Sequence, residues 1–174
     1  MFHRIWSLIG LVLTSSAPLS PPPNLAENFQ GPCANAGTRV LVRTVLHRLT
    51  LCENGRNVGE WRVELGSGGV SKEVEGDKKT PIGVYKIGRP RKSKAGFGIF
   101  IPVGYPNAVD RAAGRSGGDI GIHGPPQDQV HSRAGEARDW TFGCIALPDL
   151  ASIQTIATWV RRHHPIEVTI TANE

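Results

Sequence analysis

The chain is poor in cysteine, in long apolar runs and in metal-ligand spacings, and each shortage excludes something. It has 3 cysteines in 174 residues and contains neither Cys-x-x-Cys nor His-Glu-x-x-His. His123, His131 and Cys144, with Asp128 or Asp139 nearby, match no familiar zinc spacing, so neither a metal nor a cofactor is expected. The apolar run from Ile5 to Leu13 is nine residues, far short of the ~20 that span a bilayer. No repeat and no second compositional block appear after residue 37, which leaves one domain. Nor is there a basic stripe interleaved with aromatics. The net charge of +5 is scattered, which argues against nucleic acid and suits peptide carboxylates or an acidic polymer outside the cell.

What is present begins with an export pattern. Basic Met1–Arg4, the apolar run and small residues at Ser15-Ser16-Ala17 read as a secretory signal over residues 1–26. The cut falls after Ala17 or Ala26; an uncleaved amphipathic anchor is the other reading of the same segment. A largely polar stretch with five prolines runs from Pro18 to Pro32, a linker is set at 27–37, and a catalytic-sized domain occupies 38–174. With 21 glycines and 13 prolines, that domain is expected to be mainly β, built of short strands and many turns. In an oxidising compartment Cys33 and Cys52 could pair and leave Cys144 free, but Cys52 could equally be a small buried apolar residue.

Periodicity predicts strands at Arg39–Val45, Leu49–Glu53 and Val58–Leu65, the last two joined by a type I′ turn at Asn54-Gly55. A charged loop follows over 71–79. Further strands are predicted at Val84–Ile87, Phe97–Val103, Asp119–His123 and Ile166–Ile170, with a basic loop at 89–96 and a turn-rich stretch at 107–118. Leu150, Ile153, Ile156, Ala157 and Val160 recur at helical spacing from Pro148-Asp149 to Arg162. One helix therefore follows the last cysteine. His163 and His164 fall at its end, suited to charge–dipole stabilisation alone.

Two fragments carry chemistry, Gly121-Ile122-His123-Gly124 and Trp140-Thr141-Phe142-Gly143-Cys144-Ile145. A thiol that titrates near ~8.5 needs a neighbour to activate it, and histidine is the side chain suited to that task. Cys144 is thus a candidate nucleophile and His123 its candidate base. A buried inert cysteine and a hydrogen-bonded structural histidine are the bland alternatives. Gly143 removes a Cβ beside the thiol, and consecutive N–H groups at 143 and 144 are candidates for an oxyanion site. Thr141 is expected to support that loop, and Trp140 to line a cleft.

The order Thr80-Pro81-x-Gly83-x-Tyr85, then Ile122-His123-Gly124, then Thr141-x-Gly143-Cys144-Ile145 resembles the L,D-transpeptidase catalytic domain, the YkuD-type fold. The likeness runs from about Arg39 to Thr171, with the look of the murein-peptide branch. It implies a β-sandwich or barrel in which Cys144 attacks a carbonyl of a peptidoglycan stem peptide and His123 serves as general base. It also implies a backbone carbonyl orienting the histidine, a thioester acyl-enzyme, and an amine acceptor that is another stem peptide or a wall-anchored protein. With water as acceptor the product would be that of a carboxypeptidase or amidase, and a wall-binding module without turnover is the remote alternative. The localisation implied is periplasmic or cell-envelope. Phe142 and Ala146 depart from the family, many members having histidine and arginine there. Arg133 or Arg138 is the expected replacement cation; Tyr85 reads as core on its strand and is carried also as a further candidate substrate contact.

Overall fold

The computed structural model describes residues 31–127, 138–164 and 166–173. The signal segment and the start of the linker lie outside them, as do His131 and Arg133. Nine strands and two helices follow in the order β1 (Arg39–Arg43), β2 (Arg48–Glu53), β3 (Arg56–Arg62), β4 (Gly83–Lys86), β5 (Arg91–Lys92), β6 (Ile99–Pro102), α1 (Ala108–Ala112), β7 (Gly121–His123), β8 (Ile145–Ala146), α2 (Leu150–His163) and β9 (Glu167–Thr171) among the described residues. They form a mainly β domain with two mixed sheets. One has the order β3-β2-β1-β9-β4 and the other β5-β6-β7-β8.

The first sheet grows from alternation. Val40 and Val42 of β1 and Val168 of β9 are fully buried while their neighbours are not, as a half-covered strand requires. β2 and β3 are joined at Asn54 and Gly55, both at positive φ (50° and 79°), the geometry of the I′ turn that suits the strands' twist. β1 and β9 run parallel, so a crossover must join the last strand to the sheet, and α2 is part of it.

The linker expected over 27–37 is corrected in its described part. Cys33 is buried and bonded to Cys52 of β2, so residues 31–37 are tied to the domain rather than free.

In the second sheet, Ile101, Ile122 and Ile145 are register partners across β6, β7 and β8. All three are completely buried. They belong to the same core as the inward side chains of the first sheet and the α2 residues Ile153, Ile156 and Val160. Because successive side chains alternate faces, the next row, Phe100, His123 and Ala146, looks the other way.

α2 begins at Asp149, whose carboxylate accepts from the Ser152 N–H at 2.7 Å and from its hydroxyl at 2.8 Å. Leu150, expected on the apolar face, is about half exposed (49%) in the first turn, and Ser152 is buried instead. His163 ends the helix against Trp159, and His164 is its C-cap. The stretch 107–118 contains α1, capped by a reciprocal Asn107–Asp110 box. The charged segment 71–79 is mostly exposed but turns one side chain inward. Lys72 is only 5% exposed, and its ammonium lies 2.7 Å from Asp77. Burial alone would raise the Asp77 carboxyl; the ammonium and the N–H groups of 73, 74 and 79 outweigh it and hold it well below the ordinary range.

Candidate active site

β7 ends at His123 and β8 begins one residue after Cys144. The two strands are parallel, with Ile122 opposite Ile145 and His123 opposite Ala146. One step back along that register places Cys144 opposite Gly121, on the same face as the imidazole. Both residues line a cleft of about 500 Å³, together with Phe97, Phe100, Trp140 and Asp119.

His123 is held on several sides. Its Nδ1 is 2.7 Å from the carbonyl oxygen of Gly124, which fixes the proton on Nδ1 and leaves the Nε2 lone pair. Phe97 stacks on the ring with centroids 4.4 Å apart, and Trp140 meets it edgewise at 5.7 Å. The Phe100 ring lies over Gly121, where any Cβ would come within 2.3 Å of it. Gly121 is thus needed to seat that aromatic wall. The burial of His123 pushes its pKa down to about 4, against the small opposing effect of the Gly124 hydrogen bond.

Cys144 is half-buried and is the free cysteine. Its Sγ donates to the Asp119 carbonyl oxygen at 3.5 Å. Asp119 stands at φ 52°, a left-handed conformation. Burial pushes the thiol up to about 11. At neutral pH the site therefore holds a thiol and a neutral imidazole rather than a thiolate–imidazolium pair.

The turn before Cys144 is fixed by its own atoms. Thr141 Oγ1 donates to the Cys144 carbonyl at 2.8 Å and accepts the Gly143 N–H at 3.1 Å. Gly143 has φ 116°, and a Cβ there would stand 2.6 Å from the Lys79 carbonyl oxygen. This corrects the expected role of Gly143: its missing Cβ makes room for the protein's own backbone, and its N–H is already taken. Just upstream, Asp139 lies 2.9 Å from His47 Nε2 and accepts the Leu65 N–H at 2.9 Å. Its own N–H donates to Glu64 at 3.0 Å. In the sequence Asp139 figures only beside a zinc spacing, and its contact with His47 escapes because the two meet across 92 residues; both stand at positive φ, where Asp and His are enriched among non-glycine residues.

Two further expectations are corrected. Tyr85 is not in the cleft: it is 2% exposed in the core, donates its hydroxyl to the Ile82 carbonyl, and packs edgewise on Tyr105. Arg138 is exposed and turns toward His47, 3.5 Å from its Nδ1, rather than lining the cleft. Among the described residues the cations that line it are Arg91 and Lys94, on the hairpin side of the second sheet. Among the described residues no group of three or more His, Cys, Asp or Glu side chains gathers in a way that could hold a metal ion.

A family model described as the YkuD L,D-transpeptidase catalytic domain matches residues 37–168. No curated protein matches the chain in sequence. Among solved structures, the helical cell shape determining protein Pgp2 of Campylobacter jejuni is similar at a TM-score of 0.67 and 29% identity, over 79% of this chain and 48% of that one. Bd1075 of Bdellovibrio bacteriovorus gives 0.57 and 21%, over 80% and 50% of the two chains. An Enterococcus faecium L,D-transpeptidase gives 0.52 and 13%, over 78% and 50%. The last two likenesses concern the fold alone. The chain spans about half the length of each of these three proteins.

Proposed function

The chain belongs to the YkuD family of L,D-transpeptidase catalytic domains, and on that premise we propose that it is a cysteine acyltransferase acting on peptidoglycan stem peptides. The observation that carries the reading is the placement of Cys144 and His123 in one cleft, from the ends of paired strands. The imidazole is oriented by a backbone carbonyl and keeps Nε2 for the thiol proton.

Since both groups are neutral at rest, the proton moves to Nε2 as sulfur attacks the donor carbonyl. The S–C bond forms and an oxyanion develops; the C–N bond then breaks, and the imidazolium returns its proton to the leaving amine. A thioester remains on Cys144. An amine acceptor attacks it, loses a proton to Nε2, and departs as a cross-linked or attached product, the thiolate recovering that proton. Water in the acceptor's place gives a trimmed peptide. With the Gly143 N–H committed to Thr141, the oxyanion falls to the Cys144 N–H. Thr141 serves as a positioning residue, and Trp140 with Phe97 keeps water from the imidazole. The substrate lies outside the cytoplasm, so the reading includes export, with residues 1–26 as the signal segment. The likeness to a cell-shape-determining protein supports a part in cell shape.

Incubation with purified muropeptides, followed by mass spectrometry, tests this. Cross-linked or trimmed products are expected, and Cys144→Ala should lower their rate on the order of 10³-fold or more. Products that persist in Cys144→Ala would overturn the reading. The ratio of cross-linked to trimmed species assigns the acceptor.

A further inference from the structure

The row that carries His123 does not end at Phe100. On its other side Phe100 pairs with Arg91 of β5, so Arg91, Phe100 and His123 stand opposite one another across three strands. Directly opposed residues share a face of the sheet and reach one another. The guanidinium carbon of Arg91 sits 4.7 Å over the Phe100 ring centre. Stacked this way, a guanidinium is held flat by one face and keeps its edge N–H groups for a planar anion. No carboxylate among the described residues pairs with it. The wall around it is apolar, made by Phe97, Phe100 and Trp140, with Lys94 adding positive charge.

Neighbouring strands lie about 4.8 Å apart, which sets guanidinium and imidazole roughly 10 Å from one another along the sheet. An extended peptide covers that span in about three residues. We propose that Arg91, braced on Phe100, is a specificity-determining residue that takes a free carboxylate of the donor stem peptide, about three residues or one long side chain from the reacting carbonyl. This rests on the reading of the cleft as a stem-peptide site. It places a cation on the hairpin across the cleft from Trp140.

The test uses a synthetic stem tetrapeptide and analogues in which one carboxylate at a time is amidated. Binding to Cys144→Ala protein reads recognition alone, and acylation of the wild-type thiol reads chemistry. Arg91→Gln should weaken binding of the free-carboxylate peptide roughly tenfold to a hundredfold, the effect of losing a charge-assisted contact. It should raise KM with kcat unchanged, make no difference to one of the amidated analogues, and be partly rescued by Arg91→Lys. Equal loss across every analogue, no loss in Arg91→Gln, or no peptide binding at all overturns the assignment. Arg91-dependent binding without acylation would instead overturn the cysteine chemistry and leave this assignment standing. Acylation with Arg91-independent binding would do the reverse.

Discussion

The two sheets divide the work of this domain. The first is built of longer strands, carries the Asn54-Gly55 hairpin and the Cys33–Cys52 bond, and contributes no side chain to the cleft. The second has strands of two to four residues, and Arg91, Phe100 and His123 on its outward face line the cleft. Its inner face is an isoleucine row that belongs to the core. A one-residue slip in β7 would exchange the two faces, so the core row fixes where the imidazole points. Stability and chemistry are thus separate in the first sheet and joined back to back in the second.

That contrast can be broken most forcefully by truncating one inward residue in each sheet. Leu51→Ala and Ile122→Ala each remove a buried side chain and should each cost about 2–5 kcal/mol in urea unfolding. Only Ile122→Ala should also depress turnover at temperatures where both variants are folded, since it shifts the strand that delivers His123. Equal turnover in the two variants would contradict the division. Replacing Cys33 and Cys52 together by serine is the next largest effect. Opening a loop of 19 residues should cost about 3 kcal/mol and leave kcat unchanged below the melting temperature.

The third prediction sharpens the comparison through pH. His123 is held at about 4 against an ordinary 6.5, so between those values the unfolded chain binds the proton and the folded chain does not. Stability from the neutral buried imidazole is fully present above pH 6.5 and is lost as pH falls toward 4. His123→Asn should flatten urea midpoints across that window. In the wild type, the acid limb of kcat/KM should fall near pH 4 rather than 6.5, while burial of Cys144 keeps its thiol protonated until about 11.

How legible all this was in the sequence follows the same division. β1 to β3, β9 and α2 announced themselves because five or more residues of alternation or helical spacing, with a hairpin turn or a cap, point to one answer. β5, β8 and α1 did not, since elements of two to five residues carry too few positions for a period. The order of the Thr-Pro, His-Gly and Gly-Cys fragments brought Cys144 and His123 together in the reading, and the structure sets them in one cleft. The aromatic wall, the Asp119 carbonyl on the thiol and the His47–Asp139 contact arise between residues distant in the chain, where local pattern says nothing. Tyr85 kept two readings, core and substrate contact, for a related reason: a tyrosine on a short strand is equally compatible with either face until the register with β9 is known.

The central claim is that His123 activates Cys144 for acyl transfer, and intact-protein mass spectrometry during incubation with a stem tetrapeptide tests it most directly. The account predicts a single acyl adduct on Cys144 in the wild type and none in His123→Ala over the same period. A wild type that stays unmodified, or an adduct that forms as fast without the imidazole, would contradict it.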